Sequence, residues 1–175
     1  MERNELATAL YRAAHLTGSF TLRSGQASTE YFDKFQFTSR PELLDAVSSH
    51  LAAMVPRDVE VLAGLQLGGV PLAAALSLKT GLPAVYVRLE RKAYGTCRIS
   101  EGVDVRDRVV AVVEDVVTTG GQIGLSTADL RAEGADVRYA LAVVDREQGG
   151  HASLAEHGLD LRALFTTTEL VQTTR

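Results

Sequence analysis

Apolar residues recur along this chain with two different periods. Leu6, Ala9, Leu10, Ala13, Ala14 and Leu16 follow a helical spacing, which predicts a helix over residues 2–16 with one buried face. Val109-Val110-Ala111-Val112-Val113 is instead continuously apolar and mostly β-branched, the pattern of a strand covered on both sides and ending where carboxylates appear. Between these stretches, residues 20–33 alternate around Ser24-Gly25 and predict two short strands joined by a turn. Pro41 opens a predicted helix to about Met54, and Pro56 begins a break before a strand over 59–64. Gly68-Gly69 then feeds a helix with Pro71 in its first turn, closed by Gly81 and Pro83. A strand over 84–88 precedes a polar segment reaching Arg108. The long apolar strand comes next, then a helix from near Gln122 to about Glu133 and a strand over 137–144. A helix around 152–157 and a short strand over 161–165 complete the pattern, while the threonines at 166–168 and 173–174 suggest a strand edge or polar tail. Repeated strand–helix order with short connections predicts an α/β fold, a central mostly parallel sheet flanked by helices on both faces.

Composition narrows the class. With 175 residues, 46% of them hydrophobic and 23% charged, the chain can bury one sizeable core, so a single domain is expected. Its net charge of -4 offers no general attraction for nucleic acid. No apolar segment is long enough to cross a bilayer, and Met1-Glu2-Arg3-Asn4-Glu5 lacks the basic-then-apolar start of a leader, so no membrane partner and a cytoplasmic location are expected. Cys97 is the only cysteine, which excludes an internal disulfide and a cysteine zinc cluster. The four histidines, at 15, 50, 151 and 157, have no metal-binding spacing.

The candidate chemistry begins where the long strand ends. Glu114 and Asp115 are poor phosphate ligands but good partners for ribose hydroxyls. Thr118-Thr119-Gly120-Gly121 can turn tightly and direct backbone N–H groups and two hydroxyls at an anion, with the positive end of the next helix behind them. The loop lacks the Lys-Ser or Lys-Thr ending of a nucleoside-triphosphate loop and the glycine spacing of a dinucleotide site. A plain ATPase or dehydrogenase is therefore disfavoured. A second glycine loop, Gly64-Leu65-Gln66-Leu67-Gly68-Gly69, follows another predicted strand and would let a diphosphate approach the main chain.

The segment Val110 to Gly121 resembles the signature of the type I phosphoribosyltransferases, which bind 5-phosphoribosyl 1-diphosphate. Three further segments resemble the orotate phosphoribosyltransferases among them. The first is Phe20-Thr21-Leu22-Arg23-Ser24-Gly25 with Ser28, Tyr31 and Asp33, where Arg23 stands in place of the lysine more often found there. The second is Arg88-Leu89-Glu90-Arg91-Lys92-Ala93-Tyr94-Gly95-Thr96, similar to the family's catalytic lid but with Leu89 and Tyr94 where a lysine and a histidine are expected. The third is Asp145-Arg146-Glu147-Gln148-Gly149-Gly150.

This resemblance implies a type I phosphoribosyltransferase fold across residues 1–175, with residues 1–35 and part of the C-terminus forming a small hood. It implies magnesium-dependent transfer of phosphoribosyl to N1 of orotate, giving orotidine 5-monophosphate and diphosphate, by a homodimer whose lid reaches the neighbouring site. Carried over, Glu114 and Asp115 meet the ribose, Thr118, Thr119, Gly120 and Gly121 hold the 5-phosphate, and Gly68 and Gly69 approach the diphosphate. Arg23 falls near orotate and the diphosphate, Arg146 meets the orotate carboxylate or a ring carbonyl, and Tyr31 is a further substrate-binding residue. Lys92, assisted by Arg88, would neutralise the departing diphosphate, with Asp115 the third catalytic group and Tyr94 a possible hydrogen-bond donor. Magnesium would be held mainly by diphosphate and water, its direct protein ligands being open. Two other readings remain: a purine phosphoribosyltransferase, against which Arg146 argues, and a non-catalytic nucleotide-binding regulator, which the altered lid keeps in play.

Overall fold

The computed structural model describes residues 1–21, 25, 27–91 and 98–173. Helix α1 (Arg3–Ala14) leads into a hairpin of β1 (His15–Thr21) and β2 (Ala27–Phe32). The helix stops two residues short of its apolar period because His15 and Leu16 pair with Phe32 and Tyr31 across the hairpin. Cross-strand packing outweighs helical spacing there. A short helix, α2 (Phe35–Thr38), which the sequence pattern does not signal, joins the hairpin to α3 (Pro41–Ala52).

Next come β3 (Val61–Leu65), α4 (Gly69–Thr80), β4 (Ala84–Val87), β5 (Ser100–Gly102), β6 (Val109–Val117), α5 (Gly121–Ala132), β7 (Asp136–Asp145), α6 (Gly150–Glu156), β8 (Asp160–Thr166) and α7 (Thr167–Gln172). Six strands form one sheet in the order β5-β4-β3-β6-β7-β8. All neighbours are parallel except β5, which runs antiparallel along β4 through Val85 and Gly102. The segment expected to be polar and irregular thus supplies an edge strand.

Alternate residues of the central strands serve opposite faces. Leu62, Ala111, Val113, Leu141 and Val143 pack with α1, α3 and α4, whereas Val61, Ala63, Val110, Val112 and Ala142 pack with α5 and α6. The expected two-faced α/β sheet is what forms. Two expectations change in detail. Strand β6 does not end at the carboxylates, because Val116 and Val117 continue its pairing with Val144 and Asp145. Thr166 ends the edge strand β8 and at the same time caps α7, which Thr167 and Thr168 begin: Thr166 Oγ1 accepts from Glu169 N at 3.1 Å while Glu169 Oε2 accepts from Thr166 N at 2.8 Å, a reciprocal cap.

Candidate active site

The chain runs from β3 through α4 to β4 on one side, then returns to place β6 on the other side of β3. Strand order reverses between β3 and β6, and in open α/β sheets the crevice at the carboxyl ends of such strands is where ligands bind. Both glycine loops leave from there. The loop after β3 contains a cis Gln66–Leu67 peptide bond and delivers Gly68 and Gly69 to the start of α4. The loop after β6 exposes Thr118 and Thr119, turns at Gly120 with φ 80°, and starts α5 at Gly121. Helix α5 spans 12 residues, and its first-turn N–H groups have no intrahelical acceptors, which suits an anion.

The two acids occupy different environments. Asp115 is fully buried, its Oδ1 accepting from Val116 N at 2.7 Å and from Lys34 Nζ at 2.9 Å. The other oxygen, Oδ2, has no hydrogen-bond partner among the described residues and faces Gly68, where an added Cβ would fall 1.6 Å from it. Glycine at 68 is therefore required by the Asp115 carboxylate. Glu114 is partly buried, and its Oε1 accepts from Asp115 N at 2.9 Å. Desolvation, reinforced by the hydrogen bond and charge of Asp115, pushes the Glu114 carboxyl up to about 9. Burial thus favours the protonated form of Glu114, beside the lysine-paired Asp115.

Lys34 escaped the sequence reading. It stands in Tyr31-Phe32-Asp33-Lys34-Phe35, with a partner 81 positions away, so no local spacing marks it. Its only sequence signal is an acid–base pair, Asp33-Lys34, set between aromatic residues.

A cavity of about 360 Å³ lies between the hairpin and the end of β7, lined by Tyr31 and Phe32, by His15 and Glu30, and by Arg146 and Thr167. Tyr31 stacks on Phe20 with centroids 5.5 Å apart, and His15 stacks on Tyr11 at 4.8 Å. The structure thus brings Tyr31 and Arg146 into one chamber. Arg146 is exposed, and its backbone N donates to Val117 O at 2.8 Å, which ties its loop to the end of β6. Glu147 holds the far side: its Oε2 accepts from Thr168 N at 2.9 Å and from Thr168 Oγ1 at 2.6 Å.

Arg88 lies apart from that chamber. With Gln66, Leu67, Tyr86 and Glu101 it lines a shallower groove beside the β3 loop, where its Nε donates to Glu101 Oε1 at 3.0 Å. The other expected site residues, Arg23, Lys92 and Tyr94, lie outside the described residues, as does Cys97. Arg91, in the same stretch as Arg88, pairs with Glu133 at 3.2 Å and Asp129 at 3.5 Å. Glu133 also accepts from Ile99 N at 2.9 Å and Ser100 Oγ at 2.8 Å, so one carboxylate joins Arg91 to positions 99 and 100.

Among the described residues no three His, Cys, Asp or Glu side chains converge as a metal site. No helix is long and apolar enough to cross a membrane among them. The acid pair nonetheless offers oxygen donors, including the unpartnered Asp115 Oδ2, of the hard type that suits magnesium carried on a phosphorylated substrate.

No protein-family model matches the chain. Individual relatives do. The orotate phosphoribosyltransferase of a Nocardioides species is 47% identical over 165 residues, spanning 94% of this chain and 92% of that protein. Among solved structures, Mycobacterium tuberculosis orotate phosphoribosyltransferase in complex with Fe(III) dicitrate superposes with a TM-score of 0.87 and 31% identity, covering 96% of this chain and 98% of that one. The same enzyme in complex with 5-phospho-alpha-D-ribosyl 1-diphosphate gives a TM-score of 0.83 at 28% identity, over 97% of this chain and 98% of that one. A shared fold over nearly the whole length, together with that level of identity, means that the chain belongs to the orotate phosphoribosyltransferases.

Proposed function

We propose that this protein transfers the phosphoribosyl group of 5-phosphoribosyl 1-diphosphate to N1 of orotate, releasing diphosphate and forming orotidine 5-monophosphate. The observation that carries the reading is one junction. Arg146, which lines the cavity with Tyr31, is bonded through its backbone N to Val117 O, the residue directly before the loop of Thr118 to Gly121. A base and a ribose 5-phosphate seated there would meet at the anomeric carbon.

In the reaction the bond from that carbon to the diphosphate oxygen breaks as the orotate N1 lone pair forms the new bond, with inversion. Orotate enters as an anion, so no protein nucleophile is required. Positive charge grows on the ribose and negative charge on the leaving group, and preorganised opposite charges lower that barrier. Glu114 takes the ribose hydroxyl contact, and Asp115, buried beside it, supplies fixed negative charge. Thr118, Thr119, Gly120 and Gly121 hold the 5-phosphate, while Gly68 and Gly69 bring main chain to the diphosphate. Lys92, with Arg88, takes up charge on the leaving group, and Tyr94 offers a hydroxyl donor. Arg23, Tyr31 and Arg146 hold orotate, the guanidinium of Arg146 meeting a carboxylate through paired N–H donors.

Magnesium bound to the diphosphate would spread the leaving group's charge, with Glu114 and Asp115 as the protein oxygens able to meet it or its water. Residues 1–35 with part of the C-terminus act as a hood, and the active form is a homodimer in which each lid serves the neighbouring site and excludes water during transfer.

The test is incubation with magnesium, 5-phosphoribosyl 1-diphosphate and either orotate or a purine, following base consumption and diphosphate release. Orotate-dependent release with matching orotidine monophosphate is expected. Release with a purine alone would reassign the base, and binding without release would make the protein a regulator.

A further inference from the structure

The chain between the hairpin and the first sheet helix is built to deliver a cation to the acids. Asp33 N donates to Ala14 O at 2.8 Å, fixing the exit of β2 against the end of α1. The Asp33 carboxylate then caps the next turn, Oδ1 accepting from Phe35 N at 3.0 Å and Oδ2 from Gln36 Nε2 at 3.0 Å. Between those two anchors, Lys34 extends to Asp115 and its ammonium lies 5.8 Å from the centre of the Phe35 ring. Its side chain keeps 38% exposure, whereas that of Asp115 keeps none.

The opposite edge of the Asp115 carboxylate is pressed on Gly68, where no Cβ fits. One ion pair therefore joins the turn that follows the hairpin to the acids on β6 and, through Asp115, to the glycine loop after β3, the last two being the parts proposed to engage phosphoribosyl diphosphate. A carboxylate removed from water is left uncompensated when its cation is taken away, with, among the described residues, the Val116 N–H alone holding Asp115 Oδ1.

Resting on the proposed reading of the acids and glycine loops as the phosphoribosyl diphosphate site, we infer that Lys34 is a positioning residue for that substrate. It holds the Asp115 carboxylate against the Gly68 turn, so that ribose acids and diphosphate loop are aligned before the substrate arrives. Because it acts through Asp115, its effect falls on the phosphorylated sugar and not on the base, which Tyr31 and Arg146 contact elsewhere.

The experiment compares wild type, Lys34→Met, Lys34→Arg, Asp115→Asn and the Lys34→Met/Asp115→Asn double variant. It measures equilibrium binding of 5-phosphoribosyl 1-diphosphate with magnesium by calorimetry, steady-state KM for each substrate, and thermal melting. Lys34→Met is expected to weaken binding of the phosphorylated sugar by about tenfold or more, the usual scale for a charge-assisted hydrogen bond. The KM for orotate at saturating sugar should move by less than about threefold, Lys34→Arg should restore most of the affinity, and the double variant should bind no worse than Asp115→Asn alone.

Unchanged affinity in a folded Lys34→Met protein would overturn the inference. So would an equal rise in orotate KM, or losses that add fully in the double variant. Should Lys34→Met not fold, Lys34→Gln reads the same split; failure of both to fold while Asp115→Asn folds would make the pair a folding element and sink the positioning role. A wild type that binds the sugar but releases no diphosphate with orotate would instead count against the proposed reaction.

Discussion

Gly150 packs directly on Thr118: a Cβ at position 150 would lie 2.6 Å from the Thr118 carbonyl oxygen and 2.5 Å from Val117 Cγ1. The start of α6 thereby braces the loop proposed to hold the 5-phosphate. Gly150→Ala must push main chain against main chain, an overpacking that costs about 1–3 kcal/mol. A lowered melting temperature is expected, with KM rising for both substrates because the Arg146 loop and the phosphate loop shift together. Melting curves and two-substrate kinetics check it.

Glu114 carries its own pH signature. Its carboxyl moves from an ordinary 4.5 to about 9 in the folded protein, so the folded state binds a proton that the unfolded state gives up. The resulting stability is fully present below about 4.5 and is lost as pH rises through about 9. Glu114→Gln, which keeps the neutral shape, should melt higher than wild type at pH 8 and converge with it near pH 4. Parallel melting curves across that range would contradict the burial assigned to this side chain.

Arg146→Ala should separate the two substrates. Removing its paired donors from a carboxylate is expected to raise the orotate KM by about 10- to 100-fold. The KM for 5-phosphoribosyl 1-diphosphate should stay within about threefold of wild type, since Arg146 lines the cavity with Tyr31 and not the glycine loops. Initial-rate kinetics with each substrate varied in turn distinguish this from a general loss.

Lys92→Ala addresses the proposed lid. With charge on the departing diphosphate left unneutralised, turnover should fall by about 100-fold or more, the scale of losing one transition-state donor. Binding measured without orotate should hold. Turnover near wild type with intact binding would remove Lys92 from the chemistry.

Much of the fold was legible because its signals are local. Five apolar residues before Glu114 mark β6, and Pro71 and Gly81 bracket α4. Three of the misreadings share one physical cause, namely partners distant in sequence. His15 leaves the helical period because Phe32 pairs with it, Val116 and Val117 extend β6 because β7 is there, and Ser100–Gly102 becomes a strand only beside β4. At the site, Tyr31 and Arg146 could be picked out by motif and share a cavity. Lys34 could not, since its significance lies in a contact with Asp115 and that residue's contact with Gly68. The resemblance to a lid carries Lys92 and Tyr94 as far as an assignment, and the structure adds only the Glu133 anchor at its margins.

The reversal of strand order sets the two glycine loops on adjacent parallel strands, registered through Ala63 with Val112 and Gly64 with Val113. A ladder of main-chain hydrogen bonds neither stretches nor slips by half a residue. With the two loops holding the phosphate groups as proposed, the ladder sets the separation between them. Before any side chain reads the base, a ligand would then have to match that span, which suits a pentose carrying a monophosphate at one end and a diphosphate at the other and disfavours a longer or shorter anion on dimensions alone.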